Sequence, residues 1–315
     1  MSRRIYATPA PAKVNLYLHV GPPRPDGRHP IDSLVMFADG AADDLRFFPS
    51  SHQGYALSVT DASGAALHLT DRPGDNFILI AAAALWPEGG GRFELVKRLP
   101  IASGLGGGTA DGAAALRLLD RHARDTGRSF TPEALDEAAR TLGGDGLACL
   151  YSKVSLMRGD GAELTRLTGP PRLPAILINS GAACATGPVY DQFDALGGGA
   201  DFYERPPPSS KTVDQFIEAL DGFRNDLTEP AEALAHGVSD VLEEARSLTD
   251  IGLVRMSGSG ATVFALFRTQ EAAKAAAATL VDRHPDWWVT ACMLGDASVD
   301  VRVDVRSLKA DPIVS

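Results

Sequence analysis

A chain of 315 residues with 44% hydrophobic and 22% charged side chains is long enough for two domains, or one large one, around a substantial core. Its formal net charge of −10 argues against extended contact with nucleic acid or anionic membrane, so any anion site must be a local exception. Cys149, Cys184 and Cys292 are odd in number and too widely spaced for a metal pattern or a disulfide framework. With no apolar signal core in Met1–Tyr6 and no apolar run of spanning length, the expected location is a reducing cytoplasm.

Taken in order, the first element is a strand over 12–20. Val14, Leu16, Leu18 and Val20 alternate with Lys13, Asn15, Tyr17 and His19, the period of a half-buried strand. Lys13 and Asn15 then share a face, roughly 7 Å apart. A turn-rich connection over 21–27 leads to a second strand over 28–37. Residues 45–48, 56–59 and 65–69 read as short strands, so the first third is β-rich. A helix from Asn76 to Trp86 stops at Pro87, and a strand over 92–99 follows. Lys97 and Arg98 near its end serve either a bound anion or a solvated strand end.

That strand delivers the chain into Pro100-Ile-Ala-Ser-Gly-Leu-Gly-Gly-Gly-Thr-Ala110, with four glycines among the five residues Gly104–Gly108. Such a loop adopts angles closed to other residues and leaves its N–H groups unshielded by a Cβ. Thr109 is the candidate N-cap of an alanine- and leucine-rich helix, with Asp111 in its first turn. A glycine loop feeding a helix N-terminus suits phosphate; a flexible surface loop before a packed helix is the alternative. No lysine follows the glycines, which excludes a P-loop, and Thr109 fills the third position of a Gly-x-Gly-x-x-Gly pattern, which disfavours a dinucleotide fold.

Beyond the loop, Thr131-Pro132 opens a helix that runs to Leu142, and Gly143–Gly146 forms a turn around Asp145. Strands are expected over 154–157 and 175–179, and the Gly- and Pro-rich stretch 195–210 reads as an inserted or mobile loop. Helices follow over 212–220, 229–236, 238–248 and 269–281, with strands over 252–256, 262–267, 288–293 and 299–305. Short strands interspersed with helices, β-heavy at the start, define an α+β fold, divided into residues 1–165 and 166–315.

Three segments in this order resemble the motif set of the GHMP kinase superfamily: Pro11–Leu16, the loop Pro100–Ala114, and Arg255-Met-Ser-Gly-Ser-Gly-Ala-Thr-Val-Phe264. The resemblance implies a two-domain architecture with the active site in the cleft between domains. It also implies transfer of the γ-phosphoryl of ATP, with Mg²⁺, to an alcohol. Asp26-Gly-x-His29, Leu142-Gly-x-Asp145, Ala185–Tyr190 and Asn225-Asp-Leu227 are similar to the branch that phosphorylates the 2-hydroxyl of a cytidine-diphosphate-linked methylerythritol in isoprenoid synthesis.

By that match Asp145 is the base and Lys13 its catalytic partner. Pro100, Ser103, Gly104, Leu105, Gly106, Gly107, Gly108, Thr109 and Ala110 bind ATP, while Asn15, Arg28, His29, Thr186 and Tyr190 hold the acceptor. Gly258 and Gly260 serve as scaffold, and no residue is assigned to metal. Three elements depart from the family pattern. Arg28 replaces a tyrosine, Gly146-Leu147 replaces Val-Pro after the aspartate, and Ala110 replaces the second serine after the glycines. A kinase of another small alcohol, of homoserine or mevalonate type, and a non-catalytic nucleotide binder are the alternatives.

Overall fold

The computed structural model describes residues 2–69, 75–182 and 184–307. It is the expected α+β fold, built on two long antiparallel strands, β1 (Ser2–Val20) and β2 (Ile31–Pro49). The free edge of β2 is shared along its length. Ile31–Val35 pairs with β5 (Ser155–Gly159), Phe37–Asp39 with β10 (Trp288–Gly295), and Asp44–Pro49 with β4 (Gly90–Lys97). β10 carries the sheet on to β7 (Leu173–Asn179), β9 (Val263–Phe267) and β8 (Ile251–Met256), while β11 (Arg302–Ser307) pairs with the outer edge of β1. At the margins lie β3 (Gly54–Asp61), parallel to β4, and β6 (Glu163–Arg166), a strand that the sequence did not announce.

The helices pack on three hydrophobic clusters. The first gathers α1 (Phe77–Leu85), α2 (Gly107–Asp125), α3 (Pro132–Arg140) and α4 (Gly146–Tyr151). Asn76 and Thr131 cap α1 and α3 with their side chains, as expected from their residue types. The third gathers α5 (Thr186–Ala195), α7 (Thr228–Leu234), α8 (His236–Arg246) and α9 (Gln270–Arg283). Between them, the middle cluster takes α6 (Val213–Asp221) and the centre of β1. No helix among the described residues is long and apolar enough to cross a membrane.

Several expectations are corrected. Residues 10–20 of β1 are buried on both faces, not one. The strand's alternation also breaks at a register shift between Asn15 and Tyr17. Lys13, Asn15 and Leu18 therefore line one cavity, while Tyr17 packs in the middle cluster with Val14 and Leu16. In the stretch 65–69 Ala66 makes only an isolated bridge to Thr60, and residues 70–74 lie outside the described ones. The 195–210 stretch is pinned: Asp32 accepts from Arg205 N at 3.0 Å, and Arg158 donates to Arg205 O at 2.9 Å.

Burial lowers the pKa of His19 and of His122 below the ordinary 6.5, so the fold holds both rings neutral. The unfolded chain takes up these protons first as pH falls through 6.5, so the stability present above that value is then lost. Urea midpoints between about pH 7 and pH 5.5 should show this loss, and His122→Phe, which preserves packing on Trp86, should reduce its slope.

Candidate active site

The glycine loop joins β4 to α2. Gly106 takes the left-handed conformation, φ +63°, and occupies the N-cap position with no side-chain hydrogen bond to the helix. The helix thus starts at Gly107, two residues before the expected cap; Thr109 lies inside its first turn and Asp111 beyond it. The first N–H groups of α2 are left without a capping side chain, which is what an anion requires. Leu105 and Ala110 turn away into the hydrophobic clusters, and Leu105 O accepts from Lys13 N at 2.8 Å.

Two glycines interlock the loop with the third motif. A Cβ on Gly104, φ +75°, would stand 2.3 Å from Ser257 O, and one on Gly258, φ +57°, 2.7 Å from Gly104 O. Ser257 Oγ donates to Gly104 O at 3.1 Å, and Thr262 N to Ser103 O at 3.0 Å. The Asn225-Asp226 pair supports this junction. Asn225 Nδ2 reaches Met256 O and Gly258 O at 2.8 Å each, and Asp226 accepts from Val20 N at 2.8 Å. Gly104→Ala should cost at least about 2 kcal/mol in urea unfolding and weaken calorimetric ADP binding, since neither backbone can yield without moving the other.

Lys13 and Asp145 meet beside this loop, Nζ to Oδ2 at 2.8 Å, the lysine buried and the aspartate side chain 31% exposed. Asp145 stands at the N-cap of α4, yet its carboxylate makes no capping bond. Gly146 explains part of the departure from the family pattern: a Cβ there would lie 1.9 Å from Ala139 O, so only glycine lets α4 approach α3 this closely. Asn15 donates to Ser33 Oγ at 2.8 Å, and its own Oδ1 is buried without a partner.

Two cavities meet at Asp145, and Lys13 lines the first. The first, about 460 Å³, is lined by the loop from Pro100 to Gly104 and from Gly106 to Thr109, with Lys13, Asn15 and Phe77. The second, about 840 Å³, holds Arg28, His29 and Arg140. Asp145, Thr109, Thr186 and Tyr190 belong to both. His29 Nδ1 faces Gly21 O at 2.9 Å, and its ring lies 5.0 Å from that of Tyr190. Burial, with Asp145 nearby, pushes the Tyr190 phenol up to about 12. Arg28 bonds Asp160 at 2.8 Å, and Thr186 shares a hydrogen bond of 3.0 Å with Ser259 Oγ.

Sequence reasoning missed Ser259, Arg140 and Asp160. Ser259 sat inside a flagged motif, but nothing local distinguished the other two from solvated charges. Lys97 is no solvated strand end, and it lines the glycine-loop cavity. It is buried and bound to Asp43 and, at 3.0 Å, to Asp111, so its charge is spent inside the protein.

An alcohol-phosphorylating GHMP kinase is the class defined by this loop, this pair and this sheet. The family model "GHMP kinases N terminal domain" matches residues 76–153, and "GHMP kinases C terminal" matches 210–286. A 4-diphosphocytidyl-2-C-methyl-D-erythritol kinase of Hyphomonas neptunium is 45% identical over 296 residues, 91% of this chain and 96% of that protein. One of Methylobacterium radiotolerans is 43% identical, over 92% and 99%. The crystal structure of a 4-(cytidine 5'-diphospho)-2C-methyl-D-erythritol kinase superposes with a TM-score of 0.71 at 30% identity, over 92% of this chain and 99% of that one. A homoserine kinase structure from Cytophaga hutchinsonii, 18% identical, shares the fold with a TM-score of 0.63, over 96% and 97%. The chain belongs to the 4-diphosphocytidyl-2-C-methyl-D-erythritol kinase family.

Proposed function

We propose that this protein transfers the γ-phosphoryl of ATP to the 2-hydroxyl of 4-diphosphocytidyl-2-C-methyl-D-erythritol, a cytoplasmic step of non-mevalonate isoprenoid precursor synthesis. The observation that carries this reading is that two cavities share Asp145, the carboxylate paired with Lys13. The glycine-lined cavity takes ATP, with its phosphates on the loop and the N-terminus of α2. The larger one takes the acceptor, with cytosine toward His29, Tyr190 and the guanidinium face of Arg28.

At the junction Asp145 accepts the proton of the 2-hydroxyl as it attacks the γ-phosphorus and the bond to the β-phosphate oxygen breaks. Lys13, bonded to Asp145 at 2.8 Å, orients it and stabilises charge on the transferring group. Asn15, on the same cavity wall as Lys13, helps to hold the erythritol. Thr109 offers a hydroxyl oxygen in the phosphate cavity, a donor that suits a hard cation taking most of its ligands from phosphates. Mg²⁺ there would neutralise the phosphates. Residues 1–165 supply the loop and the base; residues 166–315 supply Thr186, Tyr190 and Ser259.

Arg140 is the cation lining the acceptor cavity that makes no ion pair among the described residues, whereas Arg28 is bound to Asp160 and His29 lies 3.5 Å from Asp194. It faces the acceptor's diphosphate. Arg140→Ala should raise the acceptor KM about 10- to 100-fold and leave the ATP KM unchanged.

The reading is tested by ADP release with ATP and Mg²⁺, comparing the cytidine-diphosphate acceptor with homoserine and mevalonate. Turnover of the first alone is expected. Turnover of another alcohol instead would move the protein within the superfamily, and tight ATP binding without any turnover would make it a nucleotide binder.

A further inference from the structure

The guanidinium of Arg117, on α2, makes no ion pair among the described residues and bonds only backbone carbonyls. Nη1 donates to Cys149 O at 2.9 Å and to Leu150 O at 3.2 Å, and Nη2 donates to Pro9 O at 3.0 Å. Its Nε is buried without an acceptor. Burial lowers its pKa to about 10, which still leaves it a cation at neutral pH.

The places of these carbonyls matter more than their number. Cys149 and Leu150 are at the C-terminal end of α4, where carbonyls lack helical partners and the helix dipole favours a cation. Asp145 stands at the other end of the same helix, which has only six residues and so little stability of its own. Pro9 lies on β1, four residues before Lys13. One guanidinium thus ties together the strand that carries the lysine, the helix that carries the aspartate, and the helix that begins at the phosphate loop.

We propose that Arg117 is a positioning residue for the Lys13–Asp145 pair. It touches neither substrate; it fixes the relative placement of the two arms whose tips must stand 2.8 Å apart. The inference rests on the function proposed above for that pair. Three donors in a planar fork reach carbonyls on two elements at once, which a single ammonium cannot do equally well. A purely structural role would lower stability and leave the chemistry of the folded fraction alone.

The test compares wild type, Arg117→Met and Arg117→Lys in kcat, in KM for ATP and acceptor, and in the ¹³Cγ resonance of Asp145, assigned by its loss in Asp145→Asn. A misplacement of this kind is expected to lower kcat about 10- to 100-fold in Arg117→Met with both KM values within about twofold. The Asp145 resonance should move, and Arg117→Lys should recover part of both effects. Wild-type kcat and an unmoved resonance in folded Arg117→Met would overturn the proposal. If that variant does not fold, the same two results in Arg117→Lys would overturn it. Absence of acceptor turnover by the wild type would instead count against the proposed function. The resonance, read without substrate, would still decide the role of Arg117.

Discussion

Asp145→Asn is expected to lower kcat by about 10²–10⁴-fold while ATP binding stays close to wild type. Asparagine keeps the shape of the side chain and can still lie beside Lys13, but it has no basicity with which to take the alcohol's proton. The carboxylate is free for that task, since it makes no capping bond to α4 and, among the described residues, its one ion pair is with Lys13. Single-turnover kinetics with calorimetry of ADP would separate the two quantities. A loss confined to nucleotide affinity would remove Asp145 from the role of base.

Lys97→Met should be the most damaging substitution for stability, by about 3–5 kcal/mol in urea unfolding, because it strips the cation from a buried cluster. Asp43 is fully buried; its Oδ1 also accepts from Arg98 N at 2.6 Å and Leu99 N at 2.9 Å. Burial holds the Asp111 carboxyl well above the usual carboxylate range; Lys97 pulls it down and Asp43 pushes it up. For Lys97, burial disfavours the charge, but Asp111 and Asp43 raise its pKa overall. Lys97 thus sits between two buried carboxyls, bonded to Asp43 and, at 3.0 Å, to Asp111.

The sign follows from Asp111. Its folded pKa lies above the unfolded 3.8, so stability declines as pH rises between the two values. Removing Lys97 raises the folded pKa of Asp111 further. The cost of Lys97→Met should therefore grow as pH rises from the wild-type to the variant folded pKa of Asp111, which urea midpoints across about pH 5 to pH 10 would show. A cost that shrinks as pH rises would overturn this sign.

The local parts of the site were legible because their chemistry is local. The glycines that free the loop's N–H groups, the strand bearing Lys13 and Asn15, and the aspartate before α4 are short segments with fixed residue types. What pairing over long distances decides was not legible. The register shift after Asn15 arises from how β1 meets β2, and it turns Leu18, not Tyr17, toward the cavity. Lys97 looked like a strand end because its partners are 54 and 14 residues away. Arg117 looked like one more charge on an alanine-rich helix, since carbonyl acceptors carry no mark in a sequence. The helix start was misplaced for a different reason: Gly106 caps through its backbone angles, which compete with the side-chain cap that Thr109 offered.

The two chambers share Asp145, Thr109, Thr186 and Tyr190 in their linings. Two weak fragments, one seated in each and tethered across the shared wall, would bind as a bivalent ligand. The second contact becomes intramolecular, and its strength depends on whether the tether matches the short span between chambers. Tether length, more than the chemistry of either fragment, would set the avidity of such a compound.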